Sequence, residues 1–172
     1  MNCRDCILAK TRTNIVEGCG NKNARVMFIG EAPGRTEDDL GTPFVGGAGK
    51  ILDIILEKVH LNREDVYITN VVKCRPPSNR NPTNEEIKAC SKYLDKEIKE
   101  VNPDIIVPLG VFATRYIFDK YNIEYTSMSN ARGKKYSING LKIVPLYHPA
   151  SLIYNKNLQD KMFKDVELIN TW

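Results

Sequence analysis

Thiols, one amide, one carboxylate and one imidazole carry most of the chemistry that this chain could perform. Cys3-x-x-Cys6 sets two sulfurs within reach of a single tetrahedral centre, and Cys74 and Cys90 can supply two more. Four thiolates suit zinc and an iron-sulfur cluster equally well, so the spacing does not choose between them. Cys90 also falls on an apolar helix face, where a free cysteine serves as a small core residue. Cys74, followed by Arg75-Pro76-Pro77, has no such explanation. The fifth thiol, Cys19, sits between Gly18 and Gly20 and reads as a free cysteine in a turn. Five cysteines leave one over in any full disulfide scheme, which directs attention to metal ligation.

Three polar turns follow apolar runs. They are Gly30-Glu31-Ala32-Pro33-Gly34, the segment from Thr69-Asn70 through Lys73-Cys74-Arg75 to Pro77, and His148-Pro149-Ala150. Each feature alone has an ordinary explanation. An asparagine at a strand end caps the next turn, a histidine before proline is a turn residue, and Glu31 can cap the helix that follows it. Phe44 can be plain core. Their recurrence at strand ends is what predicts a pocket, because convergent polar groups on a concave surface mark a binding site. Gly46-Gly47-Ala48-Gly49-Lys50 resembles a phosphate loop only faintly. Phe44 stands at its first glycine position and Ile51 replaces the hydroxyl residue, so nucleotide hydrolysis is not expected.

The elements that must position these groups are legible in the hydrophobic pattern. Residues 25–30, 66–70, 104–109 and 141–146 are short β-branched runs, nearly uniform rather than alternating, as strands covered on both faces are. Helical patterns span 50–60, 111–119 and 158–170, and a capping box at Thr83-Asn84-Glu85-Glu86 opens a further helix. That helix carries Ile87, Cys90, Leu94, Ile98 and Val101 on one face and stops before Pro103. Strand and helix alternate throughout, which predicts an α/β fold: a three-layer α/β/α sandwich with a central four-stranded parallel sheet. The expectation is one domain over residues 1–172, with ligands bound beyond the carboxyl ends of the strands.

With 172 residues, 42% hydrophobic and 27% charged, no run approaches the length of a membrane span, and no membrane role is expected. Met1 to Cys6 lacks the apolar stretch of a secretory signal, so the expected location is cytoplasmic; separately, a monomer is expected. The net charge of +4 is unevenly placed: residues 71–84 and 125–159 contain no Asp or Glu. Lys73, Arg75 and Arg80 in the first stretch, and Arg132, Lys134, Lys135, Lys142 and Lys156 in the second, predict a positive field for a polyanion.

Taken together, the Gly-Glu-Ala-Pro-Gly turn, Pro43-Phe44-Val45-Gly46, the Thr69 to Pro77 segment, His148-Pro149-Ala150 and the four-cysteine spacing resemble the thermophile-type, iron-sulfur uracil-DNA glycosylases, from Cys3 to about Asn155. The resemblance implies a four-iron four-sulfur cluster on Cys3, Cys6, Cys74 and Cys90, with zinc as the alternative. It implies a substrate of uracil-containing DNA, single- or double-stranded. It also implies a pocket formed by Gly30, Glu31, Ala32, Phe44, Asn70 and His148. In the broader superfamily the position of Ala32 often carries an aspartate that orients water; here it is alanine, as in the resembled family.

The residue types fit that chemistry. A flipped pyrimidine needs an aromatic face, which Phe44 offers. An amide both donates and accepts, so Asn70 can read one pyrimidine edge. Cleavage of the glycosidic bond leaves negative charge on the base, and His148 can donate to it. Glu31 is expected to screen out the thymine methyl group and position water. Arg75, Arg80 and Ser151 are expected to contact DNA, with Leu152 as the apolar wedge. No lysine is placed for lyase chemistry. The alternatives are a superfamily member that binds uracil-DNA without turnover and a zinc-binding domain that merely holds nucleic acid. The first is disfavoured because residues 75–84 lack histidine.

Overall fold

The computed structural model describes residues 2–171. Along the chain run β1 (Cys19–Gly20), β2 (Val26–Gly30), α1 (Arg35–Leu40), α2 (Gly47–Lys58), β3 (Val66–Asn70), α3 (Asn84–Val101) and β4 (Ile105–Pro108). Then come α4 (Val111–Lys120), α5 (Met128–Ala131), β5 (Tyr136–Ile138), β6 (Leu141–Ile143), α6 (Ser151–Tyr154) and α7 (Gln159–Val166). One sheet of order β1-β3-β2-β4-β6-β5 holds all the strands. Its inner four, β3-β2-β4-β6, are parallel, and they are the four runs read from the sequence. The edge strands β1 and β5 pair antiparallel. They are two and three residues long, too short for a periodic signal, and β1 absorbs Cys19, which is therefore in an edge strand rather than a turn.

Alternation along each strand sorts the side chains between two cores. Val26 and Phe28 of β2, Val66 and Ile68 of β3, and Ile105 and Val107 of β4 meet Leu52, Ile55 and Leu56 of α2 and Met162 and Val166 of α7. Met27, Ile29, Tyr67 and Ile106 face the other way, against Leu94 and Ile98 of α3 and Ala113, Ile117 and Phe118 of α4. The sheet is thus buried on both faces, which gives the three layers. The capping box forms as written: Thr83 accepts from the Glu86 N–H, and the Glu86 carboxylate accepts from the Thr83 N–H at 2.9 Å. Among the described residues no helix is long and apolar enough to cross a membrane.

Candidate active site and cysteine cavity

Parallel strands end on one side, and the register brings the polar turns together there. Gly30 pairs with Asn70 across β2 and β3, and the ladder continues as the Val72 N–H donates to Glu31 O at 3.0 Å. On the other flank Leu109 pairs with Leu146, and the Gly110 N–H donates to Leu146 O at 2.9 Å, two residues before His148. The result is a cleft of about 510 Å³ lined by Glu31, Ala32, Phe44, Asn70 and His148, among others. Segments more than a hundred residues apart thus meet at one cleft. Gly30 is absent from that lining and lies behind it, where a Cβ would collide with both Asn70 Oδ1 and the Phe44 ring.

Asn70 is 2% exposed, and its Oδ1 is buried without any hydrogen-bond partner. Leaving such an acceptor unpaired costs about 1–3 kcal/mol, a cost removed by a ligand that donates to it. Phe44 is buried and stacks beside His148, with ring centroids 5.9 Å apart and planes inclined by 27°. The Ala150 N–H donates to His148 Nδ1 at 3.2 Å, which leaves the ring hydrogen of the neutral form on Nε2. Burial lowers the imidazole pKa to about 4, against the opposing charge of Glu37, so the ring is neutral at physiological pH.

Glu31 caps a helix, though not the one that follows it. Its Oε1 accepts from the Phe112 N–H at 3.3 Å, at the start of α4. Burial raises its pKa, while the backbone donors of Phe112 and Val111 hold it down. Gly110, at φ +88°, makes room: a Cβ there would strike Glu31 Oε1 and lie 3.1 Å from His148 Cβ.

The basic residues divide in a way that composition does not reveal. Lys73 is 1% exposed, so it cannot contribute to an external field. It pairs with Glu97 of α3 at 2.5 Å and donates to Asn70 O at 2.7 Å and to Thr69 Oγ1. Arg132 is likewise taken up by buried Asp165. The turn between β5 and β6 lies beside Asn102 and Asp104 at the amino ends of the strands, which carries Lys142 away from the cleft. Arg80 does line the cleft, held in a fork by Glu86 at 2.6 and 2.9 Å, and exposed Arg35 joins it there. Arg75 stands behind Asn79, donating to its Oδ1 at 2.7 Å.

Ser151 opens α6 without reaching the cleft wall, and Leu152, expected as a wedge, is a core residue. Leu152 is 7% exposed and packs with the α2 and α7 core. The apolar groups presented at the mouth are its neighbours Ile153, 51% exposed, and Tyr154, 87% exposed. Arg35 and Glu37, which the sequence did not single out, also line the cleft. Both lie on the short helix α1, opened by Gly34 and closed by Gly41 at φ +70°.

Cys3, Cys6, Cys74 and Cys90 line one second, narrow cavity, with Cys19 absent from it. Arg12 Nη1 donates to Cys74 Sγ and the Lys73 N–H to Cys90 Sγ, both at 3.3 Å. Arg12 Nη2 also donates to Cys3 O at 2.7 Å. Asp5, held by Lys92 at 2.8 Å and Tyr93 at 2.9 Å, fastens the Cys-x-x-Cys segment to α3. N–H donors on sulfur suit thiolate ligands, so the donor set fits a four-thiolate centre. Among the described residues, no three potential ligands are drawn together as a metal site.

Comparison with known proteins adds an independent observation. Residues 17–169 match the family model of the uracil DNA glycosylase superfamily. The chain is similar to the type-4 uracil-DNA glycosylase of Archaeoglobus fulgidus, at 47% identity over 98% of this chain and 87% of the relative. It is similar to that of Saccharolobus solfataricus, at 50% identity over 95% of this chain and 78% of the relative. The enzyme of the same name from Sulfurisphaera tokodaii is 48% identical over 98% of this chain and 79% of its own length.

Proposed function

The chain belongs to the uracil DNA glycosylase superfamily, and from that premise we propose that it excises uracil from DNA by hydrolysing the N-glycosidic bond. The observation that carries this reading is the buried, partnerless Asn70 Oδ1. Uracil offers an N3–H to that oxygen and an O4 to the amide nitrogen, whereas cytosine presents an acceptor and a donor in the opposite places. Phe44 provides the face on which the flipped ring stacks.

As the N1–C1′ bond breaks, its electron pair leaves with the base and charge gathers on O2, while the sugar becomes electron-poor at C1′. The Nε2–H of neutral His148 donates to O2, and being fixed in advance it stabilises that charge without reorganisation. A water adds its hydroxyl to C1′ and its proton goes to the departing uracil anion, so the products are neutral uracil and an abasic site. Glu31, desolvated and aimed by the α4 N-terminus, positions that water, and its bulk beside the base excludes a 5-methyl group. Arg35 and Arg80 meet the DNA phosphates at the cleft rim. Ile153 and Tyr154, rather than Leu152, press into the space that the base vacates.

Cys3, Cys6, Cys74 and Cys90 would hold a four-iron four-sulfur cluster, with zinc as the alternative. Such a centre supplies cross-linking, pinning the N-terminal segment to the loop before α3.

Incubation with a uracil-containing oligonucleotide, then alkali, tests the activity against a thymine control. Breakage only at uracil is expected; intact DNA would overturn the proposal. The pH profile tests His148. Because its pKa is lowered to about 4, the neutral donor persists down to that pH, and kcat should show no acid limb near the ordinary imidazole value of 6.5. A limb at 6.5 that vanishes in His148→Gln would show that the imidazole is not held neutral.

A further inference from the structure

Phe44 has φ +54°, a left-handed backbone that a bulky aromatic residue adopts only when its surroundings enforce it. Two oppositely charged side chains supply that enforcement. On one side, Glu37 Oε1 accepts from the N–H groups of Val45 at 3.0 Å and Gly46 at 2.8 Å, at the start of α2. Two glycines close around this carboxylate: a Cβ on Gly34 would lie 2.9 Å from Oε2, and one on Gly46 3.1 Å from Oε1. On the other side, Arg63 Nη2 donates to Phe44 O and, at 3.3 Å, to Gly49 O. Its Nη1 reaches Pro43 O at 3.5 Å, and its Nε is anchored on Asp53 at 2.6 Å. Gly49 itself admits no side chain, since a Cβ would land on Phe44 O.

We propose that Glu37 and Arg63 are positioning residues, a clamp on the backbone of residues 43–46 that fixes the Phe44 ring and so sets how well the cleft grips a flipped base. The clamp takes the donors of the turn on one side and its carbonyls on the other. Arg63 lies outside the cleft lining, so it acts on the ring without touching the substrate. This inference rests on the reading of Phe44 as the stacking face, and its signature is weakened base binding with the chemistry of bond cleavage intact.

The test measures kcat and KM on a uracil oligonucleotide for Phe44→Ala, Glu37→Ala, Glu37→Gln, Arg63→Met and the double variant Glu37→Ala/Phe44→Ala. Loss of one stacked face should raise KM roughly 10- to 100-fold in Phe44→Ala. Arg63→Met, at a residue outside the cleft lining, should raise KM on the order of 10-fold while kcat stays within about 3-fold, and Glu37→Ala should raise KM by a similar factor. Glu37→Gln should recover most of the loss, because its amide oxygen can accept the same two N–H groups. The double variant should lose no more than Phe44→Ala alone. KM does not depend on the folded fraction, so a purely structural role would lower the melting temperature and leave KM alone. Additive losses, or clamp variants with parental KM beside a damaged Phe44→Ala, would overturn the clamp. A Phe44→Ala protein with parental KM would remove the stacking reading and the clamp with it.

Discussion

The cleft and the cysteine cavity both draw on residues far apart in the chain, but they treat polar groups in opposite ways. In the cleft, Asn70 Oδ1 is buried and left without a partner. Around the cysteines, backbone and guanidinium N–H groups already reach Cys90 and Cys74, and the Asp5 carboxylate knots the segment to α3. An unpaired buried acceptor is tolerated where a transient ligand repays its desolvation; a site meant to stay closed is satisfied from within. Lys73 touches both regions, since its N–H meets Cys90 while its ammonium grips Asn70 O and Glu97. Val72 also bridges the two, lining the cysteine cavity while its N–H donates to Glu31 O.

Substitutions should separate the two regions, beginning at the cleft. Asn70→Ala removes the reading group and should lower kcat/KM for uracil by roughly 10³-fold, the loss expected when a polar substrate edge is left unmatched in a buried site. If single-turnover kinetics show less than a tenfold loss, the unpaired oxygen is not the recognition element. At the other region, Cys74→Ser or Cys90→Ser should act on stability first. Melting should fall by several degrees, equivalent to about 2–4 kcal/mol, and limited proteolysis should begin within the first 12 residues, while kcat of the folded fraction changes little. Parental melting after chelation or substitution would show that the thiols bear no structural centre. The smallest effect belongs at the mouth. Tyr154→Ala should reduce excision from duplex by only about threefold and leave single strands unchanged, as fits one exposed contact. A larger loss on single strands would reassign Tyr154 to stacking on a neighbouring base.

Much of the architecture was legible because its signals are local and periodic. The inner strands are uniform apolar runs, and the Thr83 capping box announces α3 four residues at a time. The convergence of Glu31, Asn70 and His148 was legible because a parallel sheet leaves its strand ends on one side. What escaped depended on partners that one-dimensional order cannot reveal. Lys73 looks like surface charge until Glu97, on the next helix, is found beside it. Leu152 looks like a wedge because it follows the polar turn, but the single turn of α6 rotates it into the core and turns Ile153 and Tyr154 outward. Glu37 had no recognisable motif, since its role lies in the backbone N–H groups of a turn eight residues away.

The common direction of the inner strands also frees the opposite rim of the molecule. There the Asn139-Gly140 turn joins the last two strands, and a Cβ added at Gly140 would meet nothing within 4 Å. A reporter, affinity handle or second protein module spliced into that hairpin would stand on the far side of the sheet from the entrance. Tethering could then change where the molecule is delivered without obstructing what enters it.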